Sequence, residues 1–374
     1  MKRILFLTTG LNVGGAENVL LRLLSKINRE KYEIKVISLI HLGPVADKIK
    51  DLDIEVVSLK IKSPLNVPKS FYVLLKNIKF FNPDLIHTFM THAAFFSILI
   101  RIFYRRPVII WNIFCNDLSL KANSFITATI MRICSRFSHI VPQRIIVDSK
   151  SAFIAHENTG YSNDRMEIIN NGVDTNLFKP KKNLDNNYRA QFFDDSDFII
   201  GMIARYHPVK AHDIFLKAAA IITKKKKGIK FFLNGKGIKN NPRIKEIIEK
   251  ENIEEFVHLS DDNLDILTIL PTCDLLVSSS HFESFPNIIC EAMSYTIPCI
   301  VTDVGDCKFI VGNHGVSVKP NNIKEIAEAS IDMINLPKEK FIKIGMNARK
   351  RIIDNFNIDL MSDKYSRLYS EIGK

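Results

Sequence analysis

The sequence predicts an α/β protein built as two doubly wound domains, each a parallel sheet with helices on both faces. Three observations predict this. Short apolar runs of strand length alternate with longer segments of helical period along the whole chain. A polar stretch near residues 180–190 interrupts that alternation once, after which it resumes. The length of 374 residues suits two domains of roughly 100–200 residues each.

In the first half, RILFLTT, EIKVISLI, EVVSL, DLIHTF, PVIIWNI, RIIVDS and MEIIN read as strands. Between them ENVLLRLLSKI, PKSFYVLLKNIKF, HAAFFSILIRIFY and SFITATIMRICSRF carry apolar residues at three- and four-residue spacing, as one-sided helices do. Strand and helix in alternation require parallel crossovers. NGVDTNLFKPKKNLDNNY then turns polar around Pro180, so the first domain is expected over 1–180 and the second over 190–354. FIIGMIA, KFFLNG, VHLS, DLLVSSS, CIVTDV and GVSVK supply the second set of strands, and 355–374 reads as a closing helix. Open parallel sheets bind ligands outside the carboxyl ends of their strands, so two such domains are expected to face a central cleft.

Bulk composition narrows the function. Apolar content of 46% and charged content of 25% fit a globular protein with a sizeable core. No apolar run reaches the length of about 18 residues that a membrane span needs; AAFFSILI is stopped by Arg101, Arg105 and Arg106. MKRILFLTTG runs into Asn12, two glycines and Glu17 without a cleavage signal, which marks a first strand and a cytoplasmic chain. The six cysteines form no CxxC pair, so free thiols are expected and no metal site. The net charge of +12 is unevenly spread. Lys60, Lys62, Lys69, Lys76, Lys79, Arg101, Arg105 and Arg106 face a single acid, Asp84, in a span rich in Phe and Tyr. Such a segment fits first a Phe core under a solvated lysine surface, then an anionic membrane surface, and last a polyanion.

Three constellations carry chemistry. Gly10, Gly14 and Gly15 precede a helix, where backbone N–H groups approach an anion or the glycines merely close a turn. The spacing is neither GxGxxG nor a P-loop. In GMIARYHPVKAHDIF, Arg205 and Lys210 stand at a strand end beside a helix start, so charge and helix dipole favour phosphate. In HFESFPNIICEAM, Glu283 lies in the loop after a buried strand, Pro286 suits the first helical position, and Glu291 falls in the second helical turn. Two carboxylates flanking N–H groups of Phe285, Pro286's neighbours Asn287 and Ile288 suit a phosphorylated, polyhydroxylated ligand. A glycosidase pair also uses two carboxylates, but would leave both cations without a task. The DxD patterns Asp51–Asp53 and Asp195–Asp197 fall away from any strand end and are read as chance.

The stretches GGAE, ARYHPVK, NGVDTNLFKP and the E-x7-E from Glu283 to Glu291 together resemble the retaining GT-B glycosyltransferases of family 4, over nearly the whole chain and most of all members that assemble surface polysaccharide and O-antigen. The resemblance implies two Rossmann-like domains, the second holding a nucleotide sugar, a UDP-sugar in first place, and the first holding a glycan or lipid-linked glycan acceptor. Arg205 and Lys210 would hold the diphosphate and Glu291 the ribose. Glu283, Phe285, Pro286, Asn287 and Ile288 would hold the donor sugar. Gly14 and Gly15 would approach the diphosphate, Gly235 and Gly237 of NGKG would form a turn near the nucleotide, and the closing helix would pack back on the first domain. The resemblance implies no cofactor and no metal, no nucleic-acid partner, and a cytoplasmic protein that is peripheral on the inner face of the membrane. Two departures stand out. Tyr295 and Thr296 replace a usual small residue and glycine, and Phe114 and Cys115 stand where a histidine is common, making His92 of FMTHAAFF a substitute candidate. The competing readings are a sugar-nucleotide epimerase on the same architecture and a non-catalytic basic protein for membrane or nucleic acid.

Overall fold

The structure, a computed structural model, describes residues 1–114, 124–180, 187–260 and 265–372. Cys115, the polar stretch 181–186 and Asp261–Asn263 therefore lie outside the described residues. The chain divides into two compact units, Met1–Gly172 with Ile358–Lys374, and Val173–Asn357.

Unit 1 is a seven-stranded parallel sheet of β1 (Lys2–Thr8), β2 (Tyr32–Ser38), β3 (Glu55–Ser58), β4 (Leu85–Phe89), β5 (Val108–Ile113), β6 (Arg144–Val147) and β7 (Met166–Ile168). The strand order is β3-β2-β1-β4-β5-β6-β7, so the order reverses between β1 and β4. Alternate residues of β1 feed the two faces. Ile4 and Phe6 enter one core with the helix Gly15–Lys26, and Leu5 and Leu7 enter the other with the helices Val67–Phe81 and Thr91–Phe103. Burial on both faces explains why these strands read as continuous apolar runs.

The C-terminal helix Ile358–Glu371 belongs to this unit. Its Ile358, Met361, Tyr365, Leu368 and Tyr369 form one buried face. Two of them carry polar tips into the core. The Tyr365 hydroxyl donates to Asn112 Oδ1 at 2.7 Å, and the Tyr369 hydroxyl lies 2.7 Å from His87 Nδ1. The Lys2 ammonium caps the far end by donating to the carbonyls of Tyr369, at 2.9 Å, and Ile372. His87 is thus a buried core histidine within β4, kept neutral by desolvation that pushes its pKa down to about 3.

Unit 2 is a six-stranded parallel sheet of β8 (Phe198–Ile203), β9 (Ile229–Asn234), β10 (Val257–Ser260), β11 (Leu275–Ser278), β12 (Cys299–Thr302) and β13 (Val316–Val318), in the order β10-β9-β8-β11-β12-β13. The chain changes unit at Gly172, eight residues before the boundary at 180 that the polar stretch suggested. NGVDTNLFKP runs along unit 2. The Val173 N–H donates to Phe356 O at 2.8 Å, Phe178 packs edge-on against Tyr295, and the Arg349 guanidinium binds the carbonyls of Thr175 and Phe178 at 2.9 and 2.8 Å. Its two buried apolar residues and a distant arginine decide the assignment, and neither shows in local composition. The described cysteines are buried free thiols. Asp197, half of one DxD pattern, spends its carboxylate on the Asp194 N–H at 3.0 Å. Among the described residues no helix is long and apolar enough to cross a membrane.

Candidate functional site

In unit 2 the strand order reverses between β8 and β11, and the loops leaving those two strands hold most of the charged candidates. The loop after β8 is tied to the loop after β9 beyond the end of the strands. The Ala204 N–H donates to Asn234 O at 2.9 Å and the Tyr206 N–H to Lys236 O at 2.8 Å. Gly235 makes this approach possible, since a Cβ there would lie 2.2 Å from Ala204 O. Gly237 takes φ +76°, a left-handed turn that suits glycine. Arg205 leaves this seam exposed, with no hydrogen bond or ion pair to any described residue.

A single 3-10 turn, Pro208–Lys210, then leads into the helix His212–Lys225 through Ala211, which sits at φ 53°, ψ 50°. That conformation is costly for a residue with a Cβ. Three bonds hold it. The Ser279 hydroxyl reaches the carbonyls of Lys210 and Ala211 at 3.2 and 3.0 Å, and the Lys210 N–H donates to His207 O at 2.9 Å. His212, the first residue of the helix, donates from Nε2 to Ala204 O at 3.3 Å. Burial pushes its pKa down to about 4, so the ring is a neutral strut between the strand end and the helix start.

Lys210 and Glu283 meet directly: Nζ lies 2.6 Å from Oε1, with the side chains 24% and 10% exposed. The Ser280 hydroxyl donates to the same carboxylate oxygen at 2.7 Å. Ser280 is itself held, because Thr302 Oγ1 at the end of β12 donates to its carbonyl at 2.6 Å. The backbone of Glu283 is pinned from the other side. The Asp306 N–H donates to Ser284 O at 3.0 Å, and a Cβ on Gly305, which takes φ +54°, would lie 2.0 Å from Glu283 O. A desolvated ion pair is worth having only where its geometry is fixed and its remaining valences are met. Here three strand ends meet that condition.

The helix Asn287–Ser294 follows, with Pro286 as the residue just before it instead of its first residue, a one-position difference from the expectation. Phe285 is buried and packs edge-on against Phe356, which anchors the loop. Asn287 and Ile288 lie in the first turn, whose N–H groups have no acceptor within the helix. Glu291 falls in the second turn, and only 8% of it is exposed. A fixed cation–carboxylate pair, a second carboxylate and a helix start on two adjoining strand ends can grip an anion and hydroxyl groups together.

The remaining candidates belong to unit 1. Gly14 and Gly15 start the helix Gly15–Lys26, and the Gly14 carbonyl accepts from the Asn18 N–H at 3.0 Å. His92 is the second residue of the helix Thr91–Phe103, half-buried, with its pKa lowered by desolvation. Met90 before it takes φ 73°. Sequence reasoning missed Ser279, Ser280, Thr302 and Gly305. Serines at a strand end and a glycine in a TDVGD turn are too common in sequence to flag without their contacts.

The family model "Glycosyl transferases group 1" matches residues 166–351, and "Glycosyltransferase Family 4" matches 13–177. The putative glycosyltransferase EpsF of Bacillus subtilis (strain 168) is 26% identical over 393 residues, covering 97% of this chain and 98% of that one. The UDP-Gal:alpha-D-GlcNAc-diphosphoundecaprenol alpha-1,3-galactosyltransferase of Escherichia coli is 28% identical over 214 residues, 56% of this chain but only 54% of that protein. Anabaena HepE in complex with UDP-glucose superposes with a TM-score of 0.86 over 100% of both chains at 21% identity, which establishes the shared GT-B fold.

Proposed function

Since the chain belongs to the group 1 glycosyltransferases of family 4, we propose that it moves a sugar, with retention and without a metal ion, from a nucleoside-diphosphate sugar to a saccharide or lipid-linked saccharide of a surface polysaccharide. The observation that carries this reading is the Lys210–Glu283 pair, steadied by Ser280 beside the start of the helix Asn287–Ser294. UDP is the favoured carrier. HepE is described with UDP-glucose and the E. coli relative is named for UDP-Gal.

In this reading the bond from the anomeric carbon to the diphosphate breaks while the acceptor oxygen bonds to the same face of that carbon. The acceptor's proton passes to the departing diphosphate oxygen, so no protein base is obligatory. Negative charge grows on the diphosphate, and preorganised cations there lower the barrier more than they favour the ground state. Lys210 and Arg205 take that task. Glu283, already aligned by Ser280, the loop residues Phe285 and Pro286, and the first helical turn at Asn287 and Ile288 hold the donor sugar. Glu291 holds the ribose, Gly235 and Gly237 shape the turn beside the nucleotide, and Gly14, Gly15 and His92 act from unit 1, the histidine toward the acceptor. No cofactor is required. The protein works in the cytoplasm at the inner membrane surface. The relatives are glycosyltransferases and lend no support to an epimerase or to a non-catalytic binding protein.

Calorimetry against UDP-, GDP- and ADP-sugars tests the donor, and NMR of the product's anomeric proton tests retention. A UDP-sugar should bind, and an inverted product would overturn the mechanism. In the same assay Glu283→Gln should weaken the intact donor more than free UDP; equal losses for both would remove Glu283 from the sugar.

A further inference from the structure

Unit 2 holds a recess of about 390 Å³ between the start of the helix His212–Lys225 and the helix Pro242–Glu251. Of residues 206–213, Lys210 alone is missing from its wall. Arg205, Gly235, Gly237, Glu283 and Glu291 do not line it either. The turn Pro208–Lys210 therefore has two sides. Lys210 leaves one side to meet Glu283 at 2.6 Å, and Pro208 and Val209 close the recess on the other. The His281 N–H donates to Val209 O at 2.7 Å, which ties the turn to the loop after β11.

The wall is rich in donors that have no partner. The guanidinium of Arg243, the imidazole of His281 and the hydroxyl of Tyr206 bond to no described residue. His207 Nδ1 accepts the Val209 N–H at 3.3 Å, which leaves its Nε2–H as a further donor. The helix His212–Lys225 begins without a side-chain cap, because the residue before it is Ala211, so its positive end is unmet. Asp213 is the one acid on the wall, and Lys217 pairs with it at 3.5 Å. Val209, Ile244 and Ile247 add apolar surface. A single acceptor completes the set. His212 is only 3% exposed, its Nε2 donates to Ala204 O, and its Nδ1 has no partner among the described residues. A buried polar atom left unpaired is costly, and its presence on the wall of a recess points to a ligand that pairs it.

We propose that this recess binds a sugar phosphate, separately from the diphosphate of the donor. The phosphate meets Arg243, His207 and the uncapped helix start, a combination of planar cation and helix dipole that suits an oxyanion. A sugar hydroxyl supplies the donor that His212 Nδ1 lacks, and the C–H face of the ring lies on Val209 and Ile247. Because the turn that carries Lys210 also closes the recess, a ligand there stiffens the turn and changes turnover. Two sources share this chemistry: a free sugar phosphate acting as an effector, and the phosphate-linked sugar of a lipid-linked acceptor. The inference goes beyond the transfer reaction and does not depend on which sugar is moved.

Calorimetry on the full chain with saturating UDP present tests it, with glucose 6-phosphate and a short-chain prenyl diphosphate sugar as probes. At least one probe should bind while UDP stays in place. Arg243→Glu should weaken that probe roughly tenfold or more, as expected for loss of one charge-assisted bond. The same variant should keep the UDP affinity of the parent, which also shows that it folds. Tyr206→Phe should give a smaller loss in the same direction. Arg205→Ala should do the reverse, weakening UDP and sparing the probe. Binding of glucose 6-phosphate that shifts kcat without entering product identifies an effector. Binding of the prenyl compound alone, with its KM raised by Arg243→Glu, identifies the acceptor. Displacement of the probe by UDP would assign the recess to the donor and overturn the proposal. Binding of neither probe, or binding indifferent to Arg243→Glu, would overturn it as well while leaving the transfer reaction standing.

Discussion

The two sheets reverse strand order at equivalent places, between β1 and β4 in unit 1 and between β8 and β11 in unit 2, yet the residues leaving those strands differ in kind. After β1 come Gly14 and Gly15, and after β4 come Met90 and His92. After β8 come Arg205 and Lys210, and after β11 come Ser280 and Glu283. Unit 2 concentrates charge at its switch point and fixes it by bonds from Ser279, Ser280 and Thr302. Unit 1 buries its polar residues instead, setting His87 and Asn112 against the two tyrosines of the C-terminal helix. The shared topology supplies a place for a ligand. What that place can do depends on which side chains the strand ends carry.

The largest effect should come from breaking the charged side of this contrast. Lys210→Ala removes the cation and leaves Glu283, 10% exposed, without its ammonium partner. Loss of one preorganised group of this kind costs about 10²–10³ in turnover, so kcat for transfer should fall by that order. Melting should fall as well, because the remaining carboxylate loses its ammonium in a desolvated setting, so turnover is read at a temperature where the variant stays folded. Turnover within a few-fold of the parent would remove Lys210 from the chemistry and reduce the pair to a structural ion pair.

Much of this contrast was legible in the sequence, and the gaps have physical reasons. Strand runs buried on both faces announce themselves as continuous apolar segments, so β1 to β13 were found by hydrophobicity alone. Arg205, Lys210, Glu283 and Glu291 drew attention as charges grouped at strand ends and helix starts, and the structure brings Lys210 and Glu283 into direct contact. The early handover at Gly172 was hidden because it rests on contacts between residues far apart in the chain, such as Arg349 with Thr175 and Phe178. Ser280 and Gly305 were hidden because their value lies in one hydrogen bond and one close approach, 2.7 Å and 2.0 Å, which no composition encodes.

The buried polar side of the contrast should cost stability and not turnover. Tyr365→Phe keeps the ring in the core but leaves Asn112 Oδ1 without its donor. An unmet buried acceptor costs about 1–3 kcal/mol. Chemical denaturation should show a loss in that range, with UDP-sugar binding to unit 2 unchanged. A loss of donor affinity equal to the loss of stability would show that the two units cannot be treated apart.

Acid should separate the units further. His87 and His156 in unit 1 and His212 in unit 2 are buried, and desolvation lowers them to about 3, about 4 and about 4. Each stays neutral in the folded chain while its unfolded counterpart, with a pKa near 6.5, takes up a proton. Stability is therefore full above about pH 6.5 and is lost as pH falls toward 4, by about 1.4 kcal/mol per pH unit for each histidine. His92 in unit 1 and His258 in unit 2 are also lowered by burial, so they act in the same direction, one in each unit. Hydrogen exchange of amides in β1 should lose protection more steeply with falling pH than exchange in β8, by one proton's worth of slope. Identical slopes would contradict the assignment of these histidines to separate cooperative units.

The smallest expected effect is a gain. Several helices of both units end on a residue in the left-handed region. Asn82 closes Val67–Phe81 at φ 47° and Asn252 closes Pro242–Glu251 at φ 54°, and asparagine tolerates that region. The helix Asn287–Ser294 ends instead on Thr296 at φ 64°. Its cap is a full Schellman motif, with the Thr296 N–H donating to Met293 O and the Ile297 N–H to Ala292 O, both at 3.0 Å. The motif prefers glycine at this position, and a β-branched residue there holds its Cβ against the following carbonyl. The bonds themselves do not use the threonine side chain, so Thr296→Gly should keep them while relieving the strain. Against this stands the greater entropy glycine loses on folding, about 0.5–1 kcal/mol, beside a relief of about 1–2 kcal/mol. The net gain should be under about 1.5 kcal/mol, raising Tm of unit 2 by a few degrees and leaving unit 1 untouched. A fall in Tm would mean that Thr296 is held by contacts worth more than its strain, and that this helix, which carries Glu291, is closed by its side chain and not by its backbone.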